Sequence, residues 1–196
     1  LDSPHGLRPT ILADLAGPKI RIRKLQNKIE IKKGDPIIIS STQQGSNIIQ
    51  VSKGVQFEKV KPGAKILIDD GRVVLEVKKL LSSETLDCLA LSNGKIENRK
   101  GVNFPGIGLS VPVLTDQDDR DLRLSLLNEA DWIALSFVRS PSDYDLVRDK
   151  IKSAGHTTPI MAKIEKWEAV QNLEGIINSF DAVMVARGDL GVEMPL

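Results

Sequence analysis

Trp132–Phe137 (WIALSF), Pro159–Ile164 (PIMAKI) and Asp181–Ala186 (DAVMVA) are three short apolar runs, each separated from the next by a longer stretch of helical periodicity. Ser140-Pro141-Ser142 opens one helix that extends to about Ser153, with the proline near the first turn, where its missing N–H does no harm. Trp167–Ser179 reads as the second helix. Strands alternating with helices pair in parallel, because a parallel pair needs a long crossover. Continuous apolar runs mark strands covered on both faces. The fold class is therefore α/β. Further back, Asp116–Asn128 reads as another helix, with Thr115 or Asp116 as its cap. Thr10–Asp14 (TILAD), followed by Gly17-Pro18, reads as a buried strand emptying into a loop.

The rhythm between these parts is different. From about Lys19 to Val111, β-branched runs dominate: Ile20–Ile22, Ile29–Ile31, Pro36–Ile39, Ile48–Val51, Ile66–Ile68, Val73–Val77 and Leu86–Leu91. Turn signals such as Lys33-Gly34-Asp35, Lys61-Pro62-Gly63 and Asn93-Gly94 separate them, and no long helical pattern intervenes. A small all-β module is expected there. The chain then divides into a β/α part at residues 1–18, an inserted β module at 19–111 and a second β/α part at 112–196. Four β/α strands are too few to close an eight-stranded barrel, so the expectation is a partial TIM-type (β/α) barrel carrying an inserted all-β, barrel-like domain.

With 196 residues the chain can bury roughly 70% of the surface exposed when unfolded, enough for a core. Lys plus Arg number 27 against 26 Asp plus Glu, so no net field draws the chain to nucleic acid or to a membrane surface. No apolar run approaches the roughly 18 residues of a membrane span, and no signal peptide is recognised. The single cysteine, Cys88, excludes an internal disulfide and fits a reducing compartment, so a cytoplasmic location is expected. The sequence opens abruptly and stops at Met194-Pro195-Leu196, just after a strand-and-loop signal, as a piece of a longer protein would.

Reactive residues of parallel β/α folds lie at the carboxyl ends of strands. TILAD ends in Asp14, WIALSF is followed by Arg139, PIMAKI carries Lys163 and precedes Glu165, and DAVMVA precedes Arg187-Gly188-Asp189. Lys163 and Glu165 share one face of an extended strand with Met161, while Ala162 and Ile164 face the other way. A lysine in so apolar a run needs a partner if it is buried. Glu165 and Asp189, one β/α unit apart, can converge above the sheet. Two such carboxylates beside a lysine suit a hard divalent cation such as magnesium, which grips an anionic oxygen substrate while the ammonium stabilises developing charge. Periodicity alone equally allows a surface ion pair between Lys163 and Glu165. Arg187-Gly188-Asp189-Leu190-Gly191 reads either as a glycine loop whose N–H groups approach an anion or as a tight structural turn. Asp69-Asp70-Gly71 reads by itself as a hairpin turn.

Taken in order, seven segments resemble pyruvate kinase: ADLAGPKIR (Ala13–Arg21), IDDGRV (Ile68–Val73), KGVNFPG (Lys100–Gly106), LSVPVLTDQD (Leu109–Asp118), ALSFVR (Ala134–Arg139), AKIEKWEAV (Ala162–Val170) and MVARGDLGVEMP (Met184–Pro195). The resemblance implies phosphoryl transfer from phosphoenolpyruvate to ADP, giving pyruvate and ATP, with Mg2+ or Mn2+, in a full-length protein that is a homotetramer. It implies that Lys163 stabilises the transferring phosphoryl group and the enolate, and that Glu165 and Asp189 bind the metal. Backbone amides around Gly188 and Asp189 would meet the substrate carboxylate. Arg21 and Lys100 match positions that reach nucleotide phosphates, and Asp70 lies near a lid acid facing the closed site. The β module would be the lid, supplying the dry surroundings that phosphoryl transfer needs. Related barrels use the same carboxylates for aldol or mutase chemistry on pyruvate enolates, without a nucleotide to cover.

One stretch departs from the best-known members. Potassium-requiring members carry an acid two residues after the glycine of Gly17-Pro18, with a threonine early in the motif, and here these positions are Lys19 and Leu15. In this monovalent-cation region, which also holds Asp14, Leu15 removes a hydroxyl ligand and Lys19 puts a fixed ammonium where the ion would sit. Activity independent of potassium is expected. Parts of the family's oxyanion clamp lie outside these residues, so the 196-residue chain by itself is expected to be inert.

Overall fold

A computed structural model describes residues 8–25, 28–45, 47–109 and 111–194; Pro195, at the end of the last motif, lies outside them. In chain order the elements are β1 (Leu12–Leu15), β2 (Ile29–Ile31), β3 (Pro36–Ser40), β4 (Ile48–Gln50), β5 (Lys65–Ile68), β6 (Val73–Ser82), β7 (Thr85–Ala90), β8 (Gly94–Ile96) and β9 (Val102–Asn103). They continue as α1 (Asp116–Leu127), β10 (Trp132–Leu135), α2 (Ser142–Ser153), β11 (Ile160–Ile164), α3 (Trp167–Gln171), α4 (Leu173–Ser179), β12 (Ala182–Val185) and α5 (Arg187–Glu193). By contacts the chain forms two compact units. One gathers the described residues up to Pro18 with Pro112–Leu190, and the other gathers Lys19–Val111 with the segment from Gly191 onward.

The first unit is built on a four-stranded parallel sheet in the order β1-β10-β11-β12. This is the α/β arrangement expected of a partial (β/α) barrel. Ile133, Ala134 and Leu135 of β10 are all fully buried, as a central parallel strand requires. Along β11 the pleat separates two environments. Ile160, Ala162 and Ile164 enter the core with Leu15, Leu122 and Val147, while Met161 and Lys163 lie half-buried on the opposite face. Helix α1 begins with a capping box: Thr115 accepts from the Asp118 N–H, and the Asp118 carboxylate accepts from the Thr115 N–H at 2.8 Å. Leu122 and Leu126, one turn apart, then seat α1 on the sheet.

Three local expectations differ from the structure. The helix read at Trp167–Ser179 is two helices, α3 and α4, broken at Asn172. The Asn172 side-chain amide donates to the Arg139 carbonyl at 2.9 Å, so the residue is drawn to the neighbouring loop at the point where the helix breaks. Arg187-Gly188-Asp189-Leu190-Gly191 is neither an open loop nor an isolated turn; it is the body of α5, with the Leu190 N–H bonded to the Ala186 carbonyl at 3.1 Å. Ile20–Ile22 contributes only single bridges, Arg21 with Gly101 and Ile22 with Val51.

The second unit holds a six-stranded sheet, β4-β3-β7-β6-β5-β9, and a two-stranded ribbon, β2-β8. All its strand pairs are antiparallel except β3 with β4. Ile39, Ile49, Ile66, Leu75 and Leu86 are fully buried in one cluster, with Phe57 and Phe104 packed at 5.6 Å between ring centroids. No helix among the described residues is long and apolar enough to cross a membrane.

Candidate active site

Strand register explains how the first unit assembles its polar cluster. Asp14 pairs across to Ala134, and Ala134 to Met161, so these three share a level and a face of the sheet. One step past the Leu135–Ala162 pair, Ser136 comes level with Lys163. The Lys163 ammonium reaches Asp14 at 3.1 and 3.0 Å, the Ser136 hydroxyl at 2.9 Å and Glu165 Oε1 at 3.1 Å. Three acceptor groups thus meet an ammonium with three protons. Burial works against the charge on Lys163, but hydrogen bonds to Asp14 and Glu165 outweigh it and hold its pKa above the usual lysine value.

Glu165 follows directly on β11 and is 2% exposed. Its second oxygen accepts the Phe137 N–H at 2.8 Å. Phe137 adopts a left-handed backbone (φ 58°), and this turns the chain after Ser136 back toward the Glu165 carboxylate. Such strain in a non-glycine residue concentrates at functional sites. Gly17, with φ 70°, supports the same corner: a Cβ there would meet Phe137 Cδ2 at 2.9 Å and Ser136 Cβ at 3.0 Å. The Gly17 N–H donates to the fully buried Asp118 at 2.9 Å, tying the loop after β1 to the start of α1.

Gly188 and Asp189 open α5, just beyond β12, whose Val185 pairs with Ile164 of β11. The two acids Glu165 and Asp189 therefore follow adjacent strands. A side chain at Gly188 would meet nothing within 4 Å, and its backbone is not left-handed. Packing within the chain does not demand the glycine.

The remaining residues singled out from the sequence lie in the second unit. Arg21 bridges Gly101 and sends its guanidinium to the Arg99 carbonyl at 3.1 Å. Lys100 pairs with Asp69 at 2.9 Å, and the Asp69 N–H donates to the Gly101 carbonyl at 3.1 Å. Asp69 and Asp70 occupy the β5–β6 turn with φ 53° and 55°. Asp70 is exposed, so the acid that engages Lys100 is its neighbour. Lys19 lies against Gly101, with its Cε 3.3 Å from where a Cβ would stand. Arg21, Lys100, Asp70 and Lys19 are thus gathered around one corner, while Asp14 belongs to the other unit. Sequence reasoning passed over Ser136, Asp69 and the Phe137 N–H. For Ser136 the signal was present: it is the polar residue in WIALSF, on the face of Ala134.

The family model for the pyruvate kinase barrel domain matches residues 3–196. This chain belongs to the pyruvate kinase family. It is 42% identical over 201 residues to pyruvate kinase 2 of Synechocystis, covering 100% of the chain and 33% of that protein. It is 44% identical to the pyruvate kinase of Corynebacterium glutamicum and 40% identical to that of Thermotoga maritima, each over 189 residues, 95% of the chain and 40% of the relative. The chain thus spans between a third and two-fifths of the length of these pyruvate kinases.

Proposed function

We propose that the full-length protein is a cytoplasmic pyruvate kinase, moving the phosphoryl group of phosphoenolpyruvate to ADP in glycolysis and giving pyruvate and ATP. The observation that carries this reading is the half-buried ammonium of Lys163 held among Asp14, Ser136 and Glu165 at the strand ends, in a chain whose whole length aligns with pyruvate kinases. Phosphoryl transfer asks for positioning and charge neutralisation more than for a covalent intermediate. Lys163 meets the second need: an ammonium fixed in a partly dry site faces the charge that develops on the phosphoryl oxygens and the enolate.

Glu165 and Asp189 would hold the divalent cation, Mg2+ or Mn2+. The donor set fits a hard ion, being carboxylate oxygen throughout. Each Glu165 oxygen carries one hydrogen bond here, leaving a lone pair for a metal. When bound, the ion neutralises substrate charge and orients its oxygens. Gly188 and Asp189 would present backbone N–H groups to the substrate carboxylate. The open space at Gly188 supports this, since close approach from outside explains a glycine that internal packing does not. Arg21 and Lys100 would meet the nucleotide phosphates, with Asp70 beside them on the lid, residues 19–111. Potassium would not be required, and the assembly would be a homotetramer with neither nucleic acid nor membrane as a partner.

The direct experiment is a coupled assay of the full-length protein, following pyruvate release with phosphoenolpyruvate, ADP and Mg2+ or Mn2+. Turnover should need all three and fall by about a thousandfold in Lys163→Met. Turnover unchanged by that substitution, or independent of ADP, would refute the assignment.

A further inference from the structure

We propose that Ser136 is a positioning residue for Lys163, fixing the direction of its ammonium through the whole reaction. This rests on the catalytic role proposed above for Lys163. Of the three groups around the ammonium, two are carboxylates and one is the neutral Ser136 hydroxyl, which accepts at 2.9 Å and in turn donates to Asp14 at 3.3 Å. The carboxylates compete with any anionic substrate for the same protons, so at least one must release the ammonium before a phosphoryl oxygen can take its place. Ser136 carries no charge to repel that oxygen and can keep its proton throughout.

The serine is also held from every side. It is 3% exposed, its Cβ and carbonyl each lie 3.0 Å from where a Gly17 Cβ would stand, and the next residue is tied through its N–H to Glu165. Its short side chain therefore moves its oxygen little if Lys163 swings. Without it, the freed proton turns to a carboxylate, and the charge is drawn toward Asp14 or Glu165 and away from the substrate side.

The test compares the full-length enzyme with its Ser136→Ala and Ser136→Cys variants. Loss of one neutral hydrogen bond to a charged group should lower kcat about tenfold in Ser136→Ala, with KM for phosphoenolpyruvate changed less than about twofold. Ser136→Cys, which keeps a weak acceptor of similar size, should fall between. As a readout independent of turnover, Lys163, drawn closer to the carboxylates and harder to deprotonate, should be acetylated several-fold more slowly by dilute acetic anhydride in Ser136→Ala, relative to exposed Lys53 in the same digest. Unchanged kcat with unchanged Lys163 labelling overturns the inference, as does a loss of activity that tracks only a loss of folded protein. If the wild-type enzyme transfers no phosphoryl group, the functional reading fails, while the labelling comparison still decides the role of Ser136.

Discussion

Phe137 donates its backbone N–H to Glu165 Oε2 over 2.8 Å while its own backbone is left-handed, with φ 58°. A non-glycine residue pays about 1–2 kcal/mol for that conformation. The charge-assisted hydrogen bond to a carboxylate that is 2% exposed offsets this cost. Glu165 thus joins the turn after β10 to β11: one oxygen steadies that turn and the other meets Lys163 of its own strand.

The two oxygens predict a separation of stability from metal binding. Glu165→Gln keeps an acceptor for the Phe137 N–H but turns its amide NH2 toward the Lys163 ammonium, so its urea midpoint should fall less than that of Glu165→Ala. Glu165→Ala orphans that N–H and strips Lys163 of a partner, and should cost about 2–3 kcal/mol. Both should weaken Mn2+ binding by tenfold or more, the approximate scale for perturbing a carboxylate at a metal site. Calorimetric titration and equilibrium unfolding of the full-length protein check the pair. Equal Mn2+ affinity in wild type and Glu165→Gln would remove Glu165 from the metal.

Gly17→Ala should destabilise by about 2 kcal/mol or more, because a left-handed alanine is strained and its Cβ would press on Phe137 and Ser136 at 2.9 and 3.0 Å. Asp118→Ala should cost a similar amount, about 2 kcal/mol, since the buried carboxylate accepts from Thr115 and Gly17 alike. The two sites share one hydrogen bond, so the double variant should lose about 0.5 kcal/mol or more less than the sum. Strict additivity in denaturant unfolding would show that the loop and the helix cap are independent.

The α/β class was legible because strand and helix signals alternate cleanly from Trp132 onward, and the strand-end rule led directly to Lys163 and Glu165. Other features depended on tertiary contacts. A break at Asn172 depends on the Arg139 carbonyl, which lies 33 positions away. α5 forms although Gly188 and Gly191 argue against a helix, since propensity is a weak prior that context overrides. Ser136 meets Asp14 and Lys163 only through the registers of β1, β10 and β11, and a single sequence without strand pairing does not show them. That Lys100 pairs with Asp69 likewise depends on which of two left-handed turn residues points toward it.

Cys88 should behave as a buried apolar side chain. It is 1% exposed, and burial first, with the charge of Asp87 second, pushes its thiol up to about 12. Well below pH 9 the thiol is protonated in folded and unfolded chains alike, and the group adds no pH dependence. Above that, the unfolded thiol ionises first and the folded state holds the extra proton. This contribution to stability therefore declines from about pH 9 until the folded thiol titrates near 12. Cys88→Ala should flatten that part of the stability–pH curve. Ellman's reagent at pH 8 should react with Cys88 only at the rate of unfolding, and a fast stoichiometric reaction in native buffer would contradict its burial.

Potassium dependence is the sharpest test of the loop after β1. Asp14 has both oxygens on Lys163, at 3.1 and 3.0 Å, so both already accept from the chain. Leu15 is 1% exposed within the core and offers no side-chain oxygen to an ion. Lys19 adds a positive charge four residues beyond Leu15 in the sequence. With three independent features against a bound monovalent cation, the full-length enzyme should turn over in tetramethylammonium chloride within about twofold of its rate in potassium chloride, a difference of less than about 0.5 kcal/mol in the barrier. Lys19→Glu should change this: an acid replaces the ammonium, the rate in tetramethylammonium should fall about tenfold, and potassium should restore most of it. A wild-type rate that collapses without potassium, or a Lys19→Glu enzyme indifferent to the salt, would show that Lys19 does not stand in for the ion.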